Sequence, residues 1–243
     1  MNLETVHIDK IINGGFGFTR LSSGQVALVR HVLPDESVAV KVDTTDKQYC
    51  FGELQRIEVE NPARRKPPCR FYNRCGGCDL QHAAYETQLT IKKSIIEDLL
   101  RRQNDENLRS SIPRLNSPIA APQEWGYRQR IRLRVGKRGE LGFYRYRSHE
   151  VVAIDECLLA APLINSTLAM LTASKSAAEL LSLSSEVELQ LNPSTQQVVT
   201  IFSFTRKARP ADIKAAQTFC RESDTVEAVF FVGTDFPILG PFG

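Results

Sequence analysis

Long apolar segments are missing from this sequence. No hydrophobic run approaches the roughly 18–20 residues that a membrane-spanning helix needs. Residues 1–10 carry charge and contain no apolar core of a secretory signal, so a cytoplasmic protein is expected. Internal repeats and low-complexity tracts are also lacking. A chain of 243 residues with 42% hydrophobic residues therefore favours one large or two small globular domains.

A glycine-rich loop for a nucleotide cofactor is missing as well. Such a loop follows a strand and opens a helix, and its backbone amides bind phosphate. The segment Gly14-Gly15-Phe16-Gly17 has a similar composition, but it lies among short predicted strands. We therefore interpret it as a β-turn rather than a cofactor loop.

Cysteine is present in an unusual arrangement. Cys69, Cys75 and Cys78 lie within ten residues, and two glycines separate the last two, which lets the backbone fold tightly. Three clustered thiolates and one distant thiolate suit an iron–sulfur cluster better than zinc, whose sites usually combine two short ligand pairs. From the residues alone, the distant candidates are Cys50, Cys157 and Cys220.

Positive charge is concentrated in one stretch. Trp125 to Arg147 contains eight basic residues and one acid, although the whole chain carries a net charge of only +3. Alternation over Tyr127–Val135 predicts a strand with four arginines on one face. Arginine binds phosphate in a bidentate manner and stacks on bases, and tyrosines that follow the strand add stacking surfaces. We therefore predict a nucleic-acid interface, most simply with RNA.

The predicted RNA contacts are Arg128, Arg130, Arg132, Arg134, Lys137, Arg138, Tyr144, Arg145 and Arg147. The alternative interpretation is a solvated strand face without any ligand. In that case its arginines would pair with nearby acids such as Glu150, Asp155 and Glu156.

The order of predicted elements indicates two folds in succession. Residues 3–60 contain many short strands separated by turn residues, which is typical of a small β-barrel. A helix over roughly 85–102 follows, with an apolar stripe at helical spacing. Strand pairs and two helices occupy the remainder, which favours an α+β domain with a mainly antiparallel sheet.

Several motifs resemble one family. Cys69-x5-Cys75-Gly76-Gly77-Cys78, followed by Asp79-Leu80-Gln81-His82, resembles the cluster motif of RNA uracil-5-methyltransferases that carry a [4Fe-4S] centre. Residues 3–60 are similar to the TRAM β-barrel of the members that modify ribosomal RNA. Ile154-x2-Cys157 resembles the family segment that supplies the fourth ligand. The resemblance thus implies a cluster held by Cys69, Cys75, Cys78 and Cys157.

The resemblance also implies an organisation in four parts. These are a TRAM barrel (OB-like) over 1–62, an iron–sulfur loop over 63–82, a helix and connection over 83–114, and a central RNA-binding α+β domain over 115–243. The family's catalytic cysteine, general base and α/β domain for S-adenosylmethionine are expected to be absent. Neither Cys50 nor Cys220 has the Ser-Cys-x-Pro surroundings of the family's nucleophile.

The expected function is therefore that of an RNA-binding, cluster-containing N-terminal part of a ribosomal RNA methyltransferase. Such a part would be inactive alone, and only a full-length relative would use S-adenosylmethionine. The alternatives are a stand-alone RNA-binding protein, an iron–sulfur electron carrier and a zinc-stabilised binding module. The apolar face of the helix at 85–102 is expected to lean on the missing catalytic domain, and hence to mediate self-association when exposed.

Overall fold

The computed structural model describes residues 2–43, 48–233 and 236–243. The chain divides into two compact units, one containing residues 1–68 and 78–121, the other residues 69–77 and 122–243. Within the described ranges, no helix is both long and apolar enough to span a membrane.

Among its described residues, the first unit contains six strands, two α-helices and a short 3-10 helix. The strands are β1 (Asn2–His7), β2 (Lys10–Ile12), β3 (Phe16–Arg20), β4 (Val26–Arg30), β5 (Ser37–Asp43) and β6 (Tyr49–Val59). The helices are α1 (Tyr85–Arg101), α2 (Glu106–Ser110) and the 3-10 turn Ile112–Arg114.

These six strands form one mixed sheet. Its order is β1-β5-β6-β4-β3-β2, and β4 pairs with β6 in parallel while the other neighbours are antiparallel. The predicted closed β-barrel is therefore wrong, because β1 and β2 are the two edges of this sheet among the described strands. Short strands and turns are local features of a sequence, whereas closure depends on which edges meet.

The core of the first unit lies on the face of β5 that carries alternate valines. Val38, Val40 and Val42 are buried there, in one cluster with Ile91 of α1. Burial of alternate residues is what a strand with one covered face requires. The helix is thus anchored to its own unit through Ile91 and Ile95.

Part of the apolar surface of α1 is accessible. Ile96 is 47% exposed and Leu99 is 42% exposed. Self-association through α1 stays a prediction, which sedimentation of an Ile96→Glu variant beside the unmodified protein would check.

A buried ion pair holds the start of the linker after β6. The carboxylate of Glu36 is fully buried and accepts hydrogen bonds from Arg64 Nε at 2.6 Å and from the Leu33 backbone amide at 2.8 Å. The backbone amide of Asn61 donates to the same carboxylate at 3.2 Å. The Leu33-Pro34-Asp35-Glu36 turn and the linker are therefore joined at one point.

The described part of the second unit contains seven strands and three helices. The strands are β7 (Arg130–Val135), β8 (Leu141–Tyr144), β9 (Val151–Ala153), β10 (Ser184–Asn192), β11 (Gln197–Phe204), β12 (Val226–Gly233) and β13 (Phe236–Phe242). The helices are α3 (Pro162–Ala173), α4 (Lys175–Leu181) and α5 (Pro210–Glu222).

The second sheet is also mixed. Its order is β13-β12-β11-β10-β7-β8-β9, and β11 and β12 are parallel, with α5 in the connection between them. Leu133, Leu189, Phe202 and Phe231 are fully buried in the core cluster that includes residues of all three helices. The predicted fold class, a barrel followed by an α+β domain, is thus corrected to two mixed sheets. Among the described strands of the second sheet, five of the six pairings are antiparallel.

Candidate functional site

The arginines of β7 face a row of acids on the neighbouring strand. Arg134 lies opposite Glu186, and Arg132 lies opposite Glu188, in the antiparallel register of β7 and β10. The nitrogen–oxygen distances are 2.6 Å for Arg134–Glu186, 3.1 Å for Arg132 to each glutamate, and 2.6 Å for Arg130–Glu188. The strand therefore carries an ionic ladder of three arginines and two glutamates.

The ladder agrees with the alternative interpretation of the basic strand, in which its arginines pair with acids. The acids, however, are Glu186 and Glu188 rather than the nearby residues named above. The side chains of Glu186 and Glu188 are only 14% and 12% exposed, whereas that of Arg130 is 57% exposed. Opposite charges across a strand pair relieve the repulsion between neighbouring arginines. An anionic ligand at this face would therefore compete with the glutamates, and RNA binding by β7 stays a proposal.

The remaining predicted RNA residues lie around this ladder. Lys137 and Arg138 occupy the turn between β7 and β8. The guanidinium of Arg134 lies 5.0 Å from the centre of the Tyr144 ring, and Arg145 pairs with Glu150 at 3.3 Å.

Arg128 and Arg147 lie outside the regular strands. The backbone of Arg128 forms an isolated parallel bridge with Ala160, just before β7 begins. Arg147 adopts a φ of 52° in the turn after β8. The predicted strand over Tyr127–Val135 thus begins three residues late, at Arg130.

The loop that carries Cys69 and Cys75 pairs with the segment after β8. Cys75 forms an isolated antiparallel bridge with Arg145, and the Gly76 amide donates to the Tyr144 carbonyl at 2.9 Å. A β-carbon at Gly76 would lie 2.8 Å from that carbonyl oxygen. Glycine at this position therefore allows the loop to approach the sheet closely.

The thiols of Cys69, Cys75 and Cys157 lie within electrostatic range of one another. Burial raises the pKa of Cys69, and the Cys157 thiol raises it further, whereas a hydrogen bond from the Phe71 backbone lowers it. Burial also raises the pKa of Cys75; the Gly77 backbone lowers it by a hydrogen bond to the sulfur. Backbone hydrogen bonds to cysteine sulfur are among the interactions that tune iron–sulfur centres.

An asparagine of α3 fixes the turn that presents Cys157. The Asn165 side-chain oxygen accepts a hydrogen bond from the Cys157 amide at 2.9 Å. Its side-chain amide donates to the Cys157 carbonyl at 3.1 Å. The backbone of Cys157 is therefore held on both sides by one side chain from the following helix.

The other cysteines have different surroundings. Cys50 is buried in the core of the first unit, and the Cys220 thiol donates to the Phe242 carbonyl at 2.8 Å in the second. Cys78 belongs by sequence to the segment 78–121 of the first unit. Searching the described part of the chain reveals no group of three or more His, Cys, Asp or Glu side chains that could hold a metal ion.

A four-iron cluster and a single metal ion differ in how close together their thiolate ligands must lie. A four-iron cluster spreads its thiolate ligands farther apart than a tetrahedral ion, whose ligands must all lie within bonding distance of one atom. Cys69, Cys75 and Cys157 have the donor chemistry that a cluster needs, with backbone amides directed at two of the sulfurs. The basic side chains of Arg70 and Arg128 also lower the pKa of these thiols. The donor chemistry of these residues is therefore compatible with a thiolate-bound cluster.

Two features of the site were not predicted from the sequence: the pairing of the β7 arginines with glutamates, and the hydrogen bonds of Asn165. The alternation of Glu186 and Glu188 with Val187 and Leu189 was available as a pattern, but its pairing with the arginines depends on strand order. No pattern in the sequence indicates the hydrogen bonds of Asn165, because they depend on how α3 packs beside Cys157.

The chain was compared with known proteins. No protein-family model matches it. An uncharacterized RNA methyltransferase of Aquifex aeolicus is 38% identical over 158 residues, which cover 65% of this chain and 36% of the relative. A protein of the same description from Thermotoga maritima is 35% identical over 159 residues, covering 65% and 34%. This chain is similar to RNA methyltransferases. It spans about a third of the length of these relatives.

A solved structure matches the fold. The tRNA (uracil-54, C5)-methyltransferase of Pyrococcus abyssi, in complex with S-adenosyl-L-homocysteine, aligns with a TM-score of 0.64 and 19% sequence identity. The alignment covers 98% of this chain and 53% of the archaeal enzyme. The fold thus matches a methyltransferase along nearly the whole chain. This corrects the predicted fold class, which set the chain apart from the cofactor-binding part of the family.

Proposed function

We propose that this protein is an RNA-binding, iron–sulfur-containing portion of an RNA uracil-C5-methyltransferase that uses S-adenosylmethionine. The relatives named as RNA methyltransferases support the general activity. The fold neighbour, which acts on a uracil C5 atom and binds S-adenosyl-L-homocysteine, supports the type of reaction and the methyl donor. Ribosomal RNA is the proposed substrate, on the basis of the sequence motifs.

One observation carries the cluster part of this proposal. Cys157 lies 82 residues after Cys75 in the sequence, yet its thiol raises the pKa of both Cys69 and Cys75. Cys50 lies in the core of the first unit, and the Cys220 thiol is hydrogen-bonded to the Phe242 carbonyl. We assign Cys69, Cys75, Cys78 and Cys157 as the ligands, and the place of Cys78 rests on the Cys-Gly-Gly-Cys spacing.

The residues around the cysteines have separate roles in this proposal. A bound cluster supplies covalent cross-links between distant parts of the chain, and its ligation stabilises the fold. The Phe71 and Gly77 amides hydrogen-bond to the thiolates, and Asn165 holds the Cys157 turn in place. Gly76 keeps the cysteine loop against the sheet edge.

The basic residues bind the RNA backbone in this proposal. Phosphate contacts supply most of the salt-dependent affinity of nucleic-acid-binding proteins. Arg130, Arg132 and Arg134 retain partly exposed guanidiniums beside the glutamates, so each can exchange a carboxylate for a phosphate. Lys137 and Arg138 extend the positive charge into the neighbouring turn.

Iron and sulfide analysis of anaerobically purified protein tests the cluster. We expect brown protein with about four irons per chain, as a [4Fe-4S] centre requires. Cys157→Ala is expected to lose the iron. Cys220→Ala is the matched control and is expected to retain it, since it also removes a partly buried thiol from the second unit. A colourless protein that contains zinc, or loss of iron from Cys220→Ala alone, would contradict the assignment.

Binding to RNA is tested separately. The protein, with its cluster intact, should bind a uridine-containing fragment of ribosomal RNA with an affinity that falls steeply as salt rises. A transfer RNA of equal length serves as the comparison, and a clear preference for it would refute the ribosomal assignment. A reversible redox couple that a reductase turns over, without RNA binding, would instead favour an electron carrier.

A further inference from the structure

A cavity in the second unit lies beside the turn between β7 and β8. Its volume is about 780 Å³, within the range of roughly 300–1,000 Å³ that is usual for ligand sites. The turn forms one wall, and α3, α4 and the first residue of β10 form the others.

The turn gives the cavity a cationic wall. Lys137 and Arg138 line it, and the acid in the same turn, Glu140, is engaged with the backbone. Its carboxylate accepts a hydrogen bond from the Arg138 amide at 2.8 Å, and it folds over Gly136, where a β-carbon would lie 2.3 Å from the carboxyl carbon. Glu140 therefore shapes the turn that presents the two cations.

The helical side gives the cavity a row of hydrogen-bond acceptors. Thr172, Ser182 and Ser184 each donate their hydroxyl proton to a backbone carbonyl three or four residues earlier, at 2.8, 2.7 and 2.8 Å. A hydroxyl has one proton and two lone pairs, so all three oxygens can still accept hydrogen bonds. The exposed Ala178 and the methyl group of Thr172 give the lining apolar surface, whereas Leu171 and Leu181 are almost fully buried.

This combination matches the parts of one nucleotide. The cations suit a phosphate, the acceptor oxygens suit base N–H groups and the ribose hydroxyl, and the aliphatic surface suits the face of a base. We propose that this cavity holds a single unpaired nucleotide of the RNA. The inference rests on the proposed function, since it identifies where that RNA would place an unstacked residue.

Filling the cavity without changing its charge is the decisive experiment. Ala178 is exposed and lines the cavity from α4, so Ala178→Trp places an indole in it. The probe is a fluorescently labelled single-stranded oligouridylate, and its binding to the full chain is followed by anisotropy. We expect binding to weaken by about tenfold, the loss of roughly one base contact. Thr172→Trp, from the exposed end of α3, is a second filling variant.

Charge removal is compared with a matched control. Lys137→Ala with Arg138→Ala should weaken binding and flatten its salt dependence by about 1.4 log units per log unit of salt, two contacts at ~0.7 each. Lys214→Ala with Arg221→Ala removes the same charge from α5, away from the cavity lining, and should have little effect. Oligonucleotides containing 4-thiouridine should cross-link to residues 135–140 and 171–184.

The outcomes separate this inference from the proposed function. If the unmodified protein binds no RNA, the proposed function fails, and the inference fails with it. If the unmodified protein binds RNA while both tryptophan variants bind equally well, the cavity is not a nucleotide site, although the proposed function stands. Weakening by the tryptophans, together with cross-links at the two segments, supports the site. Thermal unfolding of each variant confirms that it is folded.

Discussion

Releasing the arginines of β7 from their glutamates should increase RNA affinity. The perturbation is the double substitution Glu186→Gln and Glu188→Gln, which keeps side-chain size and removes both carboxylates. In the structure these two groups hold three guanidiniums at distances between 2.6 and 3.1 Å. In the unmodified protein, RNA phosphates must displace these carboxylates before they can bind the arginines. In the variant, the three guanidiniums can bind phosphate without that displacement.

The size of the effect follows from the number of guanidiniums. Each phosphate contact with single-stranded RNA contributes about 0.7 to the slope of log affinity against log salt. Three released arginines therefore add up to about 2 to that slope, so the gain in affinity is large at low salt and disappears at high salt. Replacing Arg130 and Arg132 by alanine in this glutamine variant should flatten its slope again by about 1.4, two contacts at about 0.7 each.

Fluorescence anisotropy across a series of salt concentrations measures both slopes. Glu179→Gln with Glu222→Gln serves as the charge-matched control, because it removes two carboxylates from helices of the same unit. An affinity that rises equally in the control would indicate a general effect of net charge. An unchanged affinity in the ladder variant would refute the reasoning, and the arginine row would then be a structural feature of the sheet.

Three other predictions concern the supports of the two units. Arg64→Met should destabilise the first unit by about 3–5 kcal/mol in urea unfolding, because a fully buried carboxylate loses its partner. The pKa values of His31 and His82 are lowered from 6.5 to about 4, mainly by burial. The unfolded chain therefore binds protons that the folded chain does not, and urea midpoints should fall as pH drops from 6.5 to 4; flat midpoints would contradict this. Asn165→Ala should accelerate iron loss to a chelator, while Ser166→Ala should not; equal rates would show that Asn165 does not position Cys157.

Local features of the fold were predictable because they depend on neighbours in the chain. The turn residues at Gly14 and Gly24 correctly indicated short strands, and the apolar spacing after residue 85 correctly indicated α1. The residues through which α1 meets the core of the first unit, Ile91 and Ile95, could not be singled out from that spacing. The preference for a helix is local, but the side that becomes buried depends on the surface available.

The candidate sites depended on the sequence to different degrees. The spacing of Cys69, Cys75 and Cys78 by itself indicated a thiolate site, since residues that are close in the chain cannot lie far apart in space. Only the tertiary structure brought Cys157 to Cys69 and Cys75, because the intervening strands set that approach. Strand order likewise decided what faces the arginines of β7. The alternation of these arginines is visible in the sequence. The glutamates opposite them lie some fifty residues later, on β10, and only the pairing of β7 with β10 brings the two rows together.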